Sequence, residues 1–568
     1  MSIKNITPSQ VLNSRGEPTI KVKMVAENGV ASYFIVPSGV NRGAQEVTKK
    51  TDEASSYNGK SVNDSVALIR QVIAPKFIGY PLAHQADFDS LLVALDSSEN
   101  KQHLGGNTIL AMSGAYFKLS AKLTHKPLWQ EIAEATKSSP KFPRIYANMV
   151  GGGKHAPGLD IQEFMVVPKA DKPIEAIEQI AQIYHTLRTI MMSLYGPGAK
   201  LVGDEGAIAP VGARTEVILE ALANLKDKMN NTFDIALDVA ANSFFDGKNY
   251  NFEGQALHAS DMLAIYQQWQ TQFGLYSIED PFAATDLEGM ELLKTMPKEK
   301  KPFRIISDDP TVTKANLIDE KAKEKIFDGV IIKPDQVSTI SEMFSAIESA
   351  KKAGVDIIIS HRSGESNDDF IVDLAYGVGA QGIKIGAPNR GERIAKYNRL
   401  LEIQYSLESS QEQVIGATAS DTKPTPTPTA NIISNLPAKT MPAPFAIPTP
   451  TPTPTAPPTP TPTATPTPTP IIKPFTAATA QASTTDASSV HIKSPSLPAQ
   501  TSEVSAIKTE EPESPAQPTT PTISHVVVSP SETPLPSLPI DGIVPTPTGF
   551  RNATIALTPV TQDATAKE

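Results

Sequence analysis

Between Asp234 and Pro388, six short apolar runs each end on or beside a residue able to do chemistry: Asp238, Glu279, Asp308, Lys333, His361 with Arg362, and Lys384. The first three are hard oxygen donors, a set that suits Mg²⁺, with water positions left for a substrate to displace. The competing reading is that each carboxylate caps or salt-bridges the helix after it. A lysine beside a divalent cation and other positive charge loses its proton more readily and can act as a base near neutral pH. Lys333 and Lys384 qualify, or they are ion-paired with one of the carboxylates. His361, Arg362 and Ser363 form a polar trio suited to an anion, since arginine offers a planar fork to phosphate. Glu163 and Glu205 add a candidate acid: two neighbouring carboxylates share a proton, which raises one pKa.

Such residues are useful only if the chain brings them together. Each run is four to six residues of mostly β-branched or aliphatic type, and a stretch of helical composition follows it. Successive charged ends lie 23 to 41 residues apart. That is the pace of repeated strand–helix units and predicts a parallel sheet. Runs apolar throughout suit strands covered on both faces. In a closed βα barrel the C-terminal strand ends converge on one mouth. The fold class expected is therefore α/β, in three regions. Residues 1–125 read as an α+β lid domain, 126–408 as a (β/α)8 barrel, and 409–568 as a disordered tail.

In the first region TIKVKMV alternates as a half-buried strand does, and ASYFIV is a plausible partner. PSGVNRGAQE then forms a two-glycine loop fit for a lid. Helices are expected near 64–74, with Asp64 as N-cap, near 86–96, and near 107–123. In the second region Pro173 opens an amphipathic helix with Ile177, Ile180, Tyr184 and Leu187 on one face. The last 160 residues hold 31 of the 50 prolines, in repeats such as TPTPTPT. That composition favours extended polyproline II and cannot bury enough apolar surface to fold.

Composition narrows the function. The chain has 568 residues and a net charge of −10 with no outstanding Lys/Arg cluster, which argues against nucleic acid as a partner. It has no cysteine, so disulfides and thiolate metal sites are excluded. The polar start MSIKNITPSQ lacks the apolar core of a secretory signal. No run of about 18 apolar residues offers a membrane span.

Several stretches together resemble enolase, the glycolytic 2-phosphoglycerate dehydratase. They are NSRGEPT (13–19), PSG (37–39), QEFM (162–165), GDEG (203–206), SIEDPF (277–282), SDD and TVT within 307–313, SHRSGE (360–365), IKIGAP (383–388) and ERIAKYNRLL (392–401). The resemblance covers residues 1 to about 405. It implies that Asp238, Glu279 and Asp308 ligate a first Mg²⁺, and that Lys333 removes the α-proton of 2-phosphoglycerate. It implies Glu205 as the acid, assisted by Glu163, with Lys384 facing the substrate carboxylate and Arg362 and Ser363 the phosphate. His155, Gln162 and His361 would line the pocket. A lysine base with Mg²⁺ is a known pattern for this superfamily.

The resemblance also implies a homodimer or higher homo-oligomer, two Mg²⁺ per site and a cytoplasmic enzyme, with a cell-surface or secreted pool left open. Departures bear on this. In the lid, Asn41 stands where a serine helps bind the second Mg²⁺, and Arg42 replaces a threonine. Pro157 sits in a shortened segment. Ala207 replaces a glycine and would be strained if its φ were positive, and Asp335 replaces an asparagine. The lid changes and the added tail leave a second reading: a catalytically weakened enolase-like binding protein displayed through its tail.

Overall fold

The computed structural model describes residues 1–39, 43–52, 55–98, 100–296 and 303–420. The tail from 421 and the lid residues Asn41 and Arg42 lie outside the described residues.

The chain opens as an antiparallel meander, β1 (Ile3–Leu12), β2 (Pro18–Ala26) and β3 (Ala31–Ile35). In β2 the alternation sends Ile20, Val22 and Met24 inward, all fully buried. The helix Gly106–Leu123 packs across that face. Its buried stripe includes Leu110, Ala115 and Leu119, and any side chain on Gly114 would collide with Phe34. The first helix begins at Asn63, one residue before Asp64, so Asp64 is not its N-cap. The capping oxygens come instead from Asp52, whose carboxylate accepts from the amides of Asn63 (2.8 Å) and Asp64 (3.0 Å).

The barrel strands are β4 (Arg144–Gly151), β5 (Glu163–Pro168), β6 (Phe233–Asp238), β9 (Leu275–Glu279), β10 (Arg304–Ser307), β11 (Gly329–Ile332), β12 (Asp356–Ser360) and β13 (Gly382–Lys384). The hairpin β7 (Tyr250–Phe252) and β8 (Gln255–Leu257) lies between β6 and β9. The closed order is β10-β11-β12-β13-β4-β5-β6-β9. The six expected strands are all present and parallel to one another, but the barrel as a whole is not. β5 runs antiparallel to both β4 and β6. The physical reason is the short link from Gly151 to Glu163: a parallel crossover needs a dozen or more residues, so the chain can only turn back. The reversal places Glu163 opposite Asp238, at the same end as the other charged strand termini.

Between β5 and β6 the helices Pro173–Tyr195 and Thr215–Lys228 flank the loop that carries Glu205. Ile208 in that loop bridges to Val150 of β4. Inside the barrel, Tyr146, Met165, Val167, Ala236, Ile306, Ile331 and Ile358 form one apolar cluster. This is the packed interior expected of an eight-stranded barrel.

Candidate active site

A cavity of about 40 Å³ lies at the barrel mouth, lined by Gly39, His155, Gln162, Glu163, Glu205, Asp238, Asp308, Lys333, His361, Arg362, Ser363 and Lys384, among others. Glu279 is not on its wall but touches Lys384 directly. Eleven of the residues expected from sequence thus line one cavity. Asn41 falls outside the described residues.

Lys384 Nζ is a hub. It lies 2.7 Å from Glu279, 3.0 Å from Asp238 and 3.3 Å from Glu163. Burial pulls its pKa down, but Asp238, Glu163 and Glu279 outweigh burial and hold the ammonium well above its ordinary value. Lys333 makes a close ion pair with Asp308. Burial again opposes the charge, and Asp308 again raises the pKa above the usual lysine range. Both lysines are therefore protonated while they hold these carboxylates.

The carboxylates do not cap the helices that follow. The N-cap positions of the helices that follow them, Ala259–Phe273, Leu287–Thr295 and Ala315–Lys323, are His258, Asp286 and Lys314. Glu279 is held well above the normal carboxyl value, first by burial and then by Asp238 and Asp308. Like charges crowd at these strand ends, and the donors are all hard oxygens. That chemistry fits a divalent cation of the Mg²⁺ type. Ligand atoms already within 4.8 Å of one another belong to two other groups among the described residues, Asp280 with Asp308 and Asp309, and His155 with Glu163 and Glu205. The expected trio is less closely gathered because Lys384 sits between Asp238 and Glu279, while Asp308 is engaged by Lys333 and by Gln336 at 2.9 Å.

On the other wall, His155 Nδ1 lies 3.5 Å from Glu205 and 3.9 Å from Glu163. Asn148 donates to Glu205 Oε2 at 3.1 Å. Burial and the neighbouring Glu205 push Glu163 well up. Burial would also raise Glu205, but its contacts with His361 and His155 and the charge of Arg393 hold it well below the usual range. These opposite directions favour the proton on Glu163 when the pair shares one. His361 Nε2 faces Glu205 Oε1 at 3.3 Å, and burial pushes its pKa down to about 3. Gln162 donates to Asp238 at 3.1 Å, so it orients a candidate metal ligand.

Arg362 is buried and ion-paired with Glu46 (3.0 Å) and Asp335 (3.2 Å). The departure at Asp335 therefore puts a second carboxylate on the candidate phosphate-binding arginine. Ala207 is not among the residues with positive φ. The left-handed turn falls one position earlier, on Gly206 (φ 79°), so the conditional strain does not arise.

Two important residues escaped the sequence reading. Asp280 accepts from the amides of Asp308 and Asp309, both at 2.9 Å, which ties the ends of β9 and β10 together. The signal was its place beside Glu279 in SIEDPF. Arg393, fully buried, contacts His361 Nδ1 at 2.5 Å. It also donates to the carbonyls of Arg362 (2.7 Å), Ser363 (2.8 Å) and Asp204 (3.3 Å). Its signal was the charged pair opening ERIAKYNRLL.

A meander domain joined to a barrel, with buried lysines and carboxylates facing each other at the mouth, defines an acid–base barrel enzyme. Residues 3–132 match the N-terminal domain of enolase and residues 140–421 match the enolase C-terminal TIM barrel domain. The enolase of Aeropyrum pernix is 36% identical over 417 residues, covering 72% of this chain and 96% of that protein. The enolase of Thermococcus kodakarensis is 36% identical over 414 residues, covering 72% and 95%. That of Elusimicrobium minutum is 36% identical over 412 residues, covering 71% and 96%. The chain belongs to the enolase family, and its enzyme class is phosphopyruvate hydratase, a lyase.

Proposed function

We propose that this protein dehydrates 2-phosphoglycerate to phosphoenolpyruvate in a Mg²⁺-dependent reaction, with Lys333 as base and Glu205 as acid. The observation that carries this reading is the shared cavity: Lys333 on one side, and the neighbouring carboxylates Glu163 and Glu205 on the other. Lys333 is charged while it pairs with Asp308. A cation held by Asp308 would loosen that pair and, by its charge, favour the neutral amine. The Nζ of that amine then takes the α-proton, while the electron pair passes toward the substrate carboxylate, which Lys384 faces. Glu205 then protonates the departing hydroxyl, which leaves as water. The proton is drawn from Glu163, where the pair stores it. Arg362 and Ser363 take the phosphate, and His155, Gln162 and His361 shape the pocket.

Asp238, Glu279 and Asp308 would hold the first Mg²⁺, which when bound supplies positive charge against the dianionic intermediate. A second ion and its lid ligand Asn41 belong to this reading, as do a homo-oligomeric assembly and a cytoplasmic location. The Asp335 carboxylate on Arg362 competes with phosphate. It favours weaker substrate binding and adds to the lid changes and the tail behind the second reading, a catalytically weakened enolase-like binding protein displayed through its tail.

The test is Mg²⁺-dependent formation of phosphoenolpyruvate from 2-phosphoglycerate by the purified protein, abolished by chelator. Glu205→Gln should lose dehydration yet keep exchange of the α-proton with solvent. A wild type that binds 2-phosphoglycerate but makes no product would leave the binding-protein alternative.

A further inference from the structure

We infer that Arg393 is a positioning residue: its guanidinium fixes His361 as the neutral tautomer with the proton on Nε2, aimed at Glu205. A guanidinium carries only donors. Its Nη1 lies 2.5 Å from His361 Nδ1, so Nδ1 must be the acceptor, and the single ring proton of the neutral imidazole sits on Nε2. That nitrogen lies 3.3 Å from Glu205 Oε1 without completing a hydrogen bond, and a proton there meets an oxygen that can only accept. The other tautomer would set N–H against N–H at Arg393 and a lone pair against the Glu205 carboxylate.

Arg393 is itself held rigidly. Its other Nη–H groups reach the carbonyls of Arg362 and Ser363 on one loop and of Asp204 on the other. One side chain therefore locks the strand end carrying His361 to the loop carrying Glu205. Asn148 holds the second oxygen of Glu205, so the carboxylate is oriented from both sides. Outer-sphere partners of this kind set tautomer and ring orientation. The inference rests on the reading of Glu205 as the acid.

The test uses the full chain labelled with ¹⁵N-histidine, with His361→Gln to assign the signals. Wild type should give a pyridine-type Nδ1 and a pyrrole-type Nε2 for residue 361 near pH 7. Arg393→Lys, still donor-only, should keep that pattern. Arg393→Gln, whose amide can donate or accept, should shift it towards a mixture. It should also lower dehydration relative to α-proton exchange, on the order of tenfold to a hundredfold, with Arg393→Lys restoring most of the loss. A wild-type His361 protonated on Nδ1, or on both nitrogens, overturns the inference even if every variant fails to fold. So does an Arg393→Gln protein with the wild-type spectrum and the wild-type ratio of dehydration to exchange. The spectrum is read without substrate, so its outcome is separate from whether the wild type makes phosphoenolpyruvate.

Discussion

The two ends of this barrel use the same strands and treat charge in opposite ways. At the end away from the mouth, Arg144 pairs with Asp234 at 2.7 Å and Arg304 pairs with Asp356, with side chains 15% to 33% exposed. The ring of Tyr276 lies within 4.9 Å and 5.7 Å of the two guanidinium groups. Each charge there has one ionic partner, or two in the case of Asp234, which Lys169 also meets at 3.2 Å, and reaches water. At the mouth, Glu163, Glu205, Asp238, Glu279, Lys384, His361 and Arg362 are all nearly or fully buried. One lysine serves three carboxylates, and Glu163, Glu279 and Asp280 are all pushed up by burial and mutual repulsion. Dehydrated charge in excess of its partners costs stability. The lesson is that the mouth is arranged for a ligand still to come, while the far end is arranged for the fold alone. The apolar layer of Ile306, Ile331 and Ile358 keeps the two apart.

The sharpest way to break this contrast is to injure each region once. Lys333→Ala removes the proposed base, and its turnover and α-proton exchange should fall on the order of a hundredfold to ten-thousandfold. Ile358→Ala leaves a cavity in the apolar layer and should cost about 2–5 kcal/mol of stability. Its turnover per folded molecule at low temperature should be nearly unchanged. Parallel measurement of melting and exchange decides the matter. If Ile358→Ala loses exchange as Lys333→Ala does, the layer does not insulate the mouth.

A smaller effect should appear in the pH dependence of stability. His361 is buried with its pKa down at about 3, below the ordinary value near 6.5. The folded state thus favours the neutral ring. The stability it contributes is complete above about pH 6.5 and is lost as pH falls from there towards 3, because the unfolded chain binds the proton first. Chemical denaturation of wild type and His361→Gln at pH 7 and pH 4.5 should show the wild type losing more, by on the order of 2 kcal/mol. Equal losses would mean that the imidazole is charged, or reached by water, in the folded protein.

The contrast also explains what could be read from the sequence. Strands buried on both faces have continuous apolar runs, and a functional residue at the C-terminal end gives each run a charged full stop. Six strands and the residues from Asp238 to Lys384 were legible on that basis. β5 was not, because it runs the other way and its carboxylate, Glu163, comes first. Nor was β4, whose run RIYANMVG closes on glycine. Asp64 looked like a helix cap, yet Asp52 does that work from an earlier loop, a contact that only tertiary structure creates. Asp280 and Arg393 were seen only as parts of longer motifs. Their roles lie in backbone amides and carbonyls donated by distant loops, and no spacing rule encodes those. The resemblance carried the assignment of roles but did not foresee Asp335 against Arg362. The lysines closed onto their carboxylates were the alternative that the residues themselves had left open.

The smallest change belongs to the far end, and it sharpens the comparison because it removes a charge there. Asp356→Asn deletes the partner of Arg304, whose guanidinium keeps the Tyr276 hydroxyl at 3.0 Å and the Asp328 carbonyl at 3.4 Å. The pair is partly exposed, so water replaces most of what is lost, and such ion pairs are worth about 0–1 kcal/mol. Nothing charged at the mouth depends on Asp356, since the apolar layer lies between. The melting temperature should therefore shift little, and the Mg²⁺ dependence of turnover should overlay that of the wild type. A loss of stability approaching that of Ile358→Ala would show that the charges at this end depend on their partners as strongly as those at the mouth, and the distinction between the two ends would fail.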